Sequence, residues 1–123
     1  MSEPTTTITG NLTAAPELRF AAAPVTNFTV AVTERRKHGD VWVDGETTFY
    51  RCTAWRELAE HAAESLEKGD RVIVTGRLRQ RSWETESGER RSSIEIEVED
   101  FGSSLRWNGV SVIRPIRSEA ATS

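Results

Sequence analysis

The run GRLRQRSW, residues 76–83, puts four chemically useful side chains at alternate positions. On an extended strand successive side chains point to opposite faces, so Arg77, Arg79, Arg81 and Trp83 share one row. Such a row offers guanidinium groups to phosphates and an indole to an unstacked base, which is the chemistry needed to hold a single-stranded polynucleotide. A solvated strand whose arginines pair with a neighbour's carboxylates would show the same pattern, so the row does not decide alone. A second row strengthens it: in FYRCTAW the same rule places Phe49, Arg51, Thr53 and Trp55 together. Core packing would explain the two rings but not Arg51 between them, because a buried unpaired guanidinium is very costly.

Other chemistries find less support. Glu95, Glu97, Glu99 and Asp100 suggest a divalent-metal site, but a three-residue loop at Ser87-Gly88-Glu89 would set Glu95 opposite Arg81, Glu97 opposite Arg79 and Glu99 opposite Arg77. Cross-strand ion pairs then account for the carboxylates without a metal, and they partly neutralise the arginines. His38 and His61 have no partner at the spacing of a nucleophilic triad. Gly76 and Gly88 do not form a phosphate-cradling loop. We therefore expect a non-enzyme with no metal and no cofactor. Cys52, the only cysteine, reads as a small buried residue; the sharper alternative is a disulfide to its counterpart in another subunit.

The 123 residues suit one domain with a modest core. The net charge of −3 argues against a binder that works by bulk charge, although the location of charges matters more than their sum. Fourteen of the sixteen basic residues are Arg, the residue better suited to forked phosphate contacts and to stacking on rings, and high genomic GC content would give the same bias. No apolar run is long enough to span a membrane and no signal peptide is apparent, so a cytoplasmic protein is expected.

The elements that must position the two rows follow from periodicity. Residues 5–12 read as a first strand. Residues 25–33 alternate, with Phe28, Val30 and Val32 on one face. Residues 34–47 look like a mobile hairpin arm carrying Arg35, Arg36, Lys37 and Trp42. Residues 48–55 form a third strand. The stripe of Leu58, Ala59, Ala62, Ala63 and Leu66 predicts a helix over 56–68, ended by Gly69 as C-cap and favoured by Lys68 at the negative end of its dipole. Residues 71–75 continue into the arginine row, and Ile94, Ile96 and Val98 line the last core strand. This order predicts an all-β, five-stranded Greek-key barrel of the OB type with one helix between the third and fourth strands. Residues 1–4 and 118–123 read as disordered ends around a single domain over 5–117.

Taken together, ITGNLTAAPELR, VTNFTVAVTE, FYRCTAWRELAEHAAESLEKGDRVIVTGRLRQRSW and SGERRSSIEIEVE resemble, in order and spacing, the bacterial single-stranded DNA-binding proteins of the homotetrameric OB-fold family. The resemblance covers residues 7–100. It implies that Phe49, Trp55 and Trp83 stack bases and that Arg51, Arg77, Arg79 and Arg81 line the backbone groove, with Arg35, Arg36 and Lys37 adding cations from the arm. The family often has a fourth stacking aromatic where this chain has Arg36, and Trp42 is placed to take part of that task. The resemblance also implies a homotetramer with Ile8 and Tyr50 at a subunit interface.

The stretch SLRWNGVSVIRP resembles the extra C-terminal strand of actinobacterial members, expected over 104–117. There it clamps neighbouring subunits, which would put Trp107, Val110, Val112 and Ile113 at an interface; the alternative is an edge strand packed on its own subunit. Typical members end in an acidic tip that recruits replication and repair proteins. Nothing in Ser-Glu-Ala-Ala-Thr-Ser matches it, which leaves two readings open, a tail-less paralogue or a chain whose tip has been removed, and puts recruitment through a tail in doubt.

Overall fold

The computed structural model describes residues 4–114. Its elements in chain order are β1 (Thr5–Leu12), β2 (Arg19–Ala21), β3 (Ala23–His38), β4 (Val41–Trp55), α1 (Glu57–Ser65), β5 (Arg71–Glu84) and β6 (Arg90–Ser103). The strand order is β1-β5-β6-β4-β3-β2, and a further pairing of β1 with β3 closes the ring. Five strands thus make the barrel and β2 is an antiparallel addition on β3. The β4–β6 pairing is parallel; β1–β3, β1–β5, β3–β4 and β5–β6 are antiparallel. This is the expected closed Greek-key barrel with one helix before β5.

Alternation explains the core. Ile8, Leu12, Phe28, Val30, Cys52, Ala54, Val72, Val74, Ile96 and Val98 point inward as one cluster. Phe28 stacks on Phe101 with ring centroids 4.6 Å apart. Burial of this apolar surface is the main stabilising term. Ala59 and Ala62 are the buried residues of α1, which lies against β3 and β4; their small side chains permit a close approach.

Several expectations need correction. The helix is shorter than its apolar stripe: α1 ends at Ser65, and Leu66 is the extended C-cap, with its N–H bonded to the carbonyl of Ala62. Gly69 does take a positive φ of 89°, but in the turn back to β5, where its N–H donates to the Leu12 carbonyl at 2.8 Å. Lys68 therefore lies outside the last helical turn. Ile94 is exposed rather than in the core, because β6 runs past the barrel rim into the hairpin with β5. Pro4 is tied to the sheet, its carbonyl accepting from Leu78 N–H at 2.9 Å. Residues 104–114 form no strand, so the C-terminal strand expected over 104–117 is absent there. The remainder of that strand and the tail at 118–123 lie outside the described residues.

The arm is a continuation of the sheet. β3 and β4 pair out to His38–Val41, joined by Gly39-Asp40. Gly39 has φ 67°, the positive value that a two-residue type II′ turn requires at its first position. Thr33 and Thr47 share a hydroxyl hydrogen bond of 2.8 Å at the base. Just beyond it, a register shift between Thr33 and Arg35 adds one residue on the β4 side.

Candidate nucleic-acid interface

Both rows face outward. Phe49 is 63% exposed, Trp55 40% and Trp83 46%. Register brings the rows together through β6. Arg51 and Thr53 of β4 are the Cα partners of Glu95 and Glu97, and the same two glutamates are the partners of Arg79 and Arg77 of β5. Three adjacent strands therefore present one wall, read across as Arg51–Glu95–Arg79 and Thr53–Glu97–Arg77. A concavity of about 520 Å³ lies on this wall, lined by Thr53, Trp55, Arg79, Gln80, Arg81, Glu95, Ile96 and Glu97.

The cross-strand register differs from expectation by two residues. The β5–β6 loop is longer, with Glu84 opposite Arg90 and Thr85 N–H bonded to the Glu89 carbonyl. Arg81 is consequently opposite Ser93 and Arg77 opposite Glu97, and a bulge at Thr75/Gly76 makes Glu99 the extra residue between the Gly76–Val98 and Thr75–Asp100 pairs. A shift of two keeps every side chain on its face, so two of the expected ion pairs form diagonally. Arg79 Nη1 bonds Glu97 Oε2, and Arg81 Nη1 lies 3.7 Å from Glu95 Oε2. Arg77 Nη2 is 3.3 Å from Glu97 Oε1 and Arg51 Nε is 4.0 Å from Glu95 Oε1. Each carboxylate is thus shared by two guanidiniums. Among the described residues no group of His, Cys, Asp and Glu has the arrangement of a metal site.

The arm splits its cations between two faces. Alternation along β3 puts Arg35 and Lys37 on the face of Thr29 and Thr33, which are partners of Arg51 and Thr47. The added β4 residue brings Trp42 opposite Lys37, and so onto the face of Phe49. Simple alternation along β4 would have set Trp42 with Tyr50 and Cys52; no signal in the sequence marks the bulge except Gly45 beside it. Arg36 lies on the other face, where it pairs with Glu34 at 3.1 Å and lies close to Gly45. Arg35 Nε is 3.8 Å from Asp44 Oδ1.

The residues assigned to subunit contacts divide. Ile8 turns into its own chain's core, and Tyr50, half-buried, packs against that core. Val110, Val112 and Ile113 are exposed. Trp107 is exposed on one side and carries the Arg71 guanidinium 4.3 Å from its ring centroid, a cation–π contact that sequence reasoning missed. With the Ser104 N–H to Arg71 carbonyl bond of 2.8 Å, it fixes the start of the C-terminal segment to β5. Cys52 is 2% exposed, its thiol directed at the Tyr50 carbonyl. Burial pushes its pKa up to about 12, so in this fold its sulfur is neither accessible to a second chain nor ionised at neutral pH; the intersubunit bridge finds no support.

A model of the single-strand binding protein family matches residues 4–104. The chain belongs to the single-strand binding protein family. It is 56% identical over 119 residues to a single-stranded DNA-binding protein of Mycolicibacterium smegmatis, covering 93% of this chain and 72% of that one. It is 52% identical over 120 residues to one from Paenarthrobacter aurescens, covering 94% and 70%. The crystal structure of a small single-stranded DNA-binding protein from Streptomyces coelicolor superposes with a TM-score of 0.77 at 38% identity, covering 85% of this chain and 97% of that one. The OB fold and the actinobacterial resemblance read from the sequence are thereby borne out. No helix among the described residues is long and apolar enough to cross a membrane.

Proposed function

We propose that this protein binds single-stranded DNA without sequence preference, as a homotetramer, protecting and organising the strand during replication, recombination and repair. The observation that carries the reading is the outward wall on β4, β6 and β5, where exposed rings flank guanidiniums across adjacent strands. Bases stack on Phe49, Trp55 and Trp83, with Trp42 as an outlying platform on the arm. Phosphates track past Arg51, Arg77, Arg79 and Arg81, and past Arg35 and Lys37; Arg36, on the far face of the arm, meets a strand that wraps around it. Trp107, Val110, Val112 and Ile113 belong to contacts between subunits.

The physics follows from the parts. Every base has a π-face, so stacking is worth about 1–3 kcal/mol per base with little dependence on sequence. Phosphate contacts release counterions and weaken with salt. Duplex DNA keeps its bases stacked inside and gains only the second term. The work is binding rather than catalysis, performed on DNA in the cytoplasm.

The test is fluorescence anisotropy of labelled oligo-dT and of a duplex of equal length, at two salt concentrations, on protein of measured solution mass. The reading expects tight oligo-dT binding, duplex binding weaker by orders of magnitude, and a tetramer mass. Equal affinity for the duplex would contradict it.

A further inference from the structure

The wall of arginines is interrupted by two carboxylates at its centre. Glu95 and Glu97 have side-chain exposures of only 15% and 26%, whereas the arginines around them range from 40% to 72%. Glu95 lies between Arg51 and Arg81, and Glu97 between Arg77 and Arg79. Each carboxylate uses both oxygens, one toward each guanidinium. A phosphate approaching this wall meets cations that already have an anion.

We infer that Glu95 and Glu97 are specificity-determining residues: they hold down the wall's attraction for polyanions in general and so leave ring stacking to select unstacked strands. The inference rests on the single-stranded DNA reading. A duplex offers charge alone, at about one negative charge per 1.7 Å of axis. It therefore loses most when the cations are partly neutralised. An unpaired strand loses less, because each of its phosphates carries a smaller counterion-release term, about 0.7 against about 0.9 for duplex, and its stacking is untouched by the carboxylates. Discrimination is a difference of affinities, and weakening the contacts common to both ligands most heavily for the wrong one widens it.

The test compares Glu95→Gln, Glu97→Gln and the double variant with wild type, using oligo-dT and a duplex of equal length. Glu64→Gln, on the exposed side of α1, controls for net charge. Gln keeps the shape of Glu, and thermal melting of each variant checks the fold; the single variants carry the test if the double one is unstable. The double variant is expected to bind duplex about tenfold more tightly and oligo-dT about threefold more tightly. The duplex salt slope should steepen by up to about 1.8, from about 0.9 for each additional phosphate neutralised. Glu64→Gln should change neither affinity by more than about twofold. A duplex gain no larger than the oligo-dT gain, or weaker binding of both, overturns the inference. The second result would show that the carboxylates position the arginines. If wild type fails to bind oligo-dT at all, the parent reading falls and takes this one with it; wild-type binding with unimproved variants sinks this inference alone.

Discussion

Arg51 of β4 and Glu95 of β6 are partners across a parallel pairing, with Arg51 Nε 4.0 Å from Glu95 Oε1. The contact joins two stretches of chain that the sequence keeps far apart. On its other side Glu95 reaches Arg81 of β5. One carboxylate thus links the ring-bearing strand β4 to the arginine strand β5, and the two rows act as one surface because β6 lies between them.

The exposed rings should contribute to binding and little to stability. Trp55→Ala and Trp83→Ala are each expected to weaken oligo-dT binding by about 1–3 kcal/mol, roughly 5- to 150-fold. Unfolding free energy, from urea titration, should change little, since both rings are at least 40% exposed. An unchanged affinity for either variant would remove that ring from the site.

Arg81 bears on the phosphate track. Its side chain is 72% exposed and only 3.7 Å from a carboxylate that it shares with Arg51. Arg81→Ala should make the plot of log affinity against log salt shallower by at most about 0.7, the single-strand value for one phosphate. Sharing with Glu95 keeps the change below that limit. A steeper slope would contradict the assignment.

Much of this was legible beforehand, and the exceptions have physical causes. The two rows follow from period-two alternation, which survives a register shift of two residues unharmed. That is why Arg79–Glu97 and Arg81–Glu95 form even though the loop after Glu84 is longer than expected. Alternation fails where a bulge adds a residue, as it does for Trp42 and Glu99. The helix was read too long because Leu66 continues the apolar stripe, yet Leu66 takes an extended backbone and packs against the core from the loop. Val110, Val112 and Ile113 alternate or cluster like a strand, but among the described residues they pair with no strand of their own chain.

Gly76 is fixed by backbone proximity. A Cβ there would strike the carbonyl oxygen of Glu97 and come within 2.7 Å of Ile96 Cγ2. It sits at the bulge that sets the register of the arginine row. Gly76→Ala is expected to destabilise the protein by about 1–3 kcal/mol or more through overpacking, measured by urea denaturation. Undiminished stability would mean that the β5–β6 contact is looser than described.

Cys52 supplies a pH signature. Burial raises its thiol pKa from 9.0 to about 12, so the folded state favours the protonated form. The unfolded chain ionises first as pH rises. The thiol's contribution to stability is therefore fully present below about pH 9 and is lost progressively as pH approaches 12. Cys52→Ala should show a smaller loss of stability across that window than wild type. At pH 8 a thiol-modifying reagent should label wild type only after denaturant is added; rapid labelling of the native protein would contradict the burial.

The most direct measurement is intrinsic tryptophan fluorescence during titration with oligo-dT. Stacking of bases on Trp55 and Trp83 predicts strong quenching that saturates at a fixed number of nucleotides per tetramer and is largely lost in the Trp55→Ala/Trp83→Ala double variant. Saturable binding with no quenching in wild type, or with equal quenching in the double variant, would contradict the account.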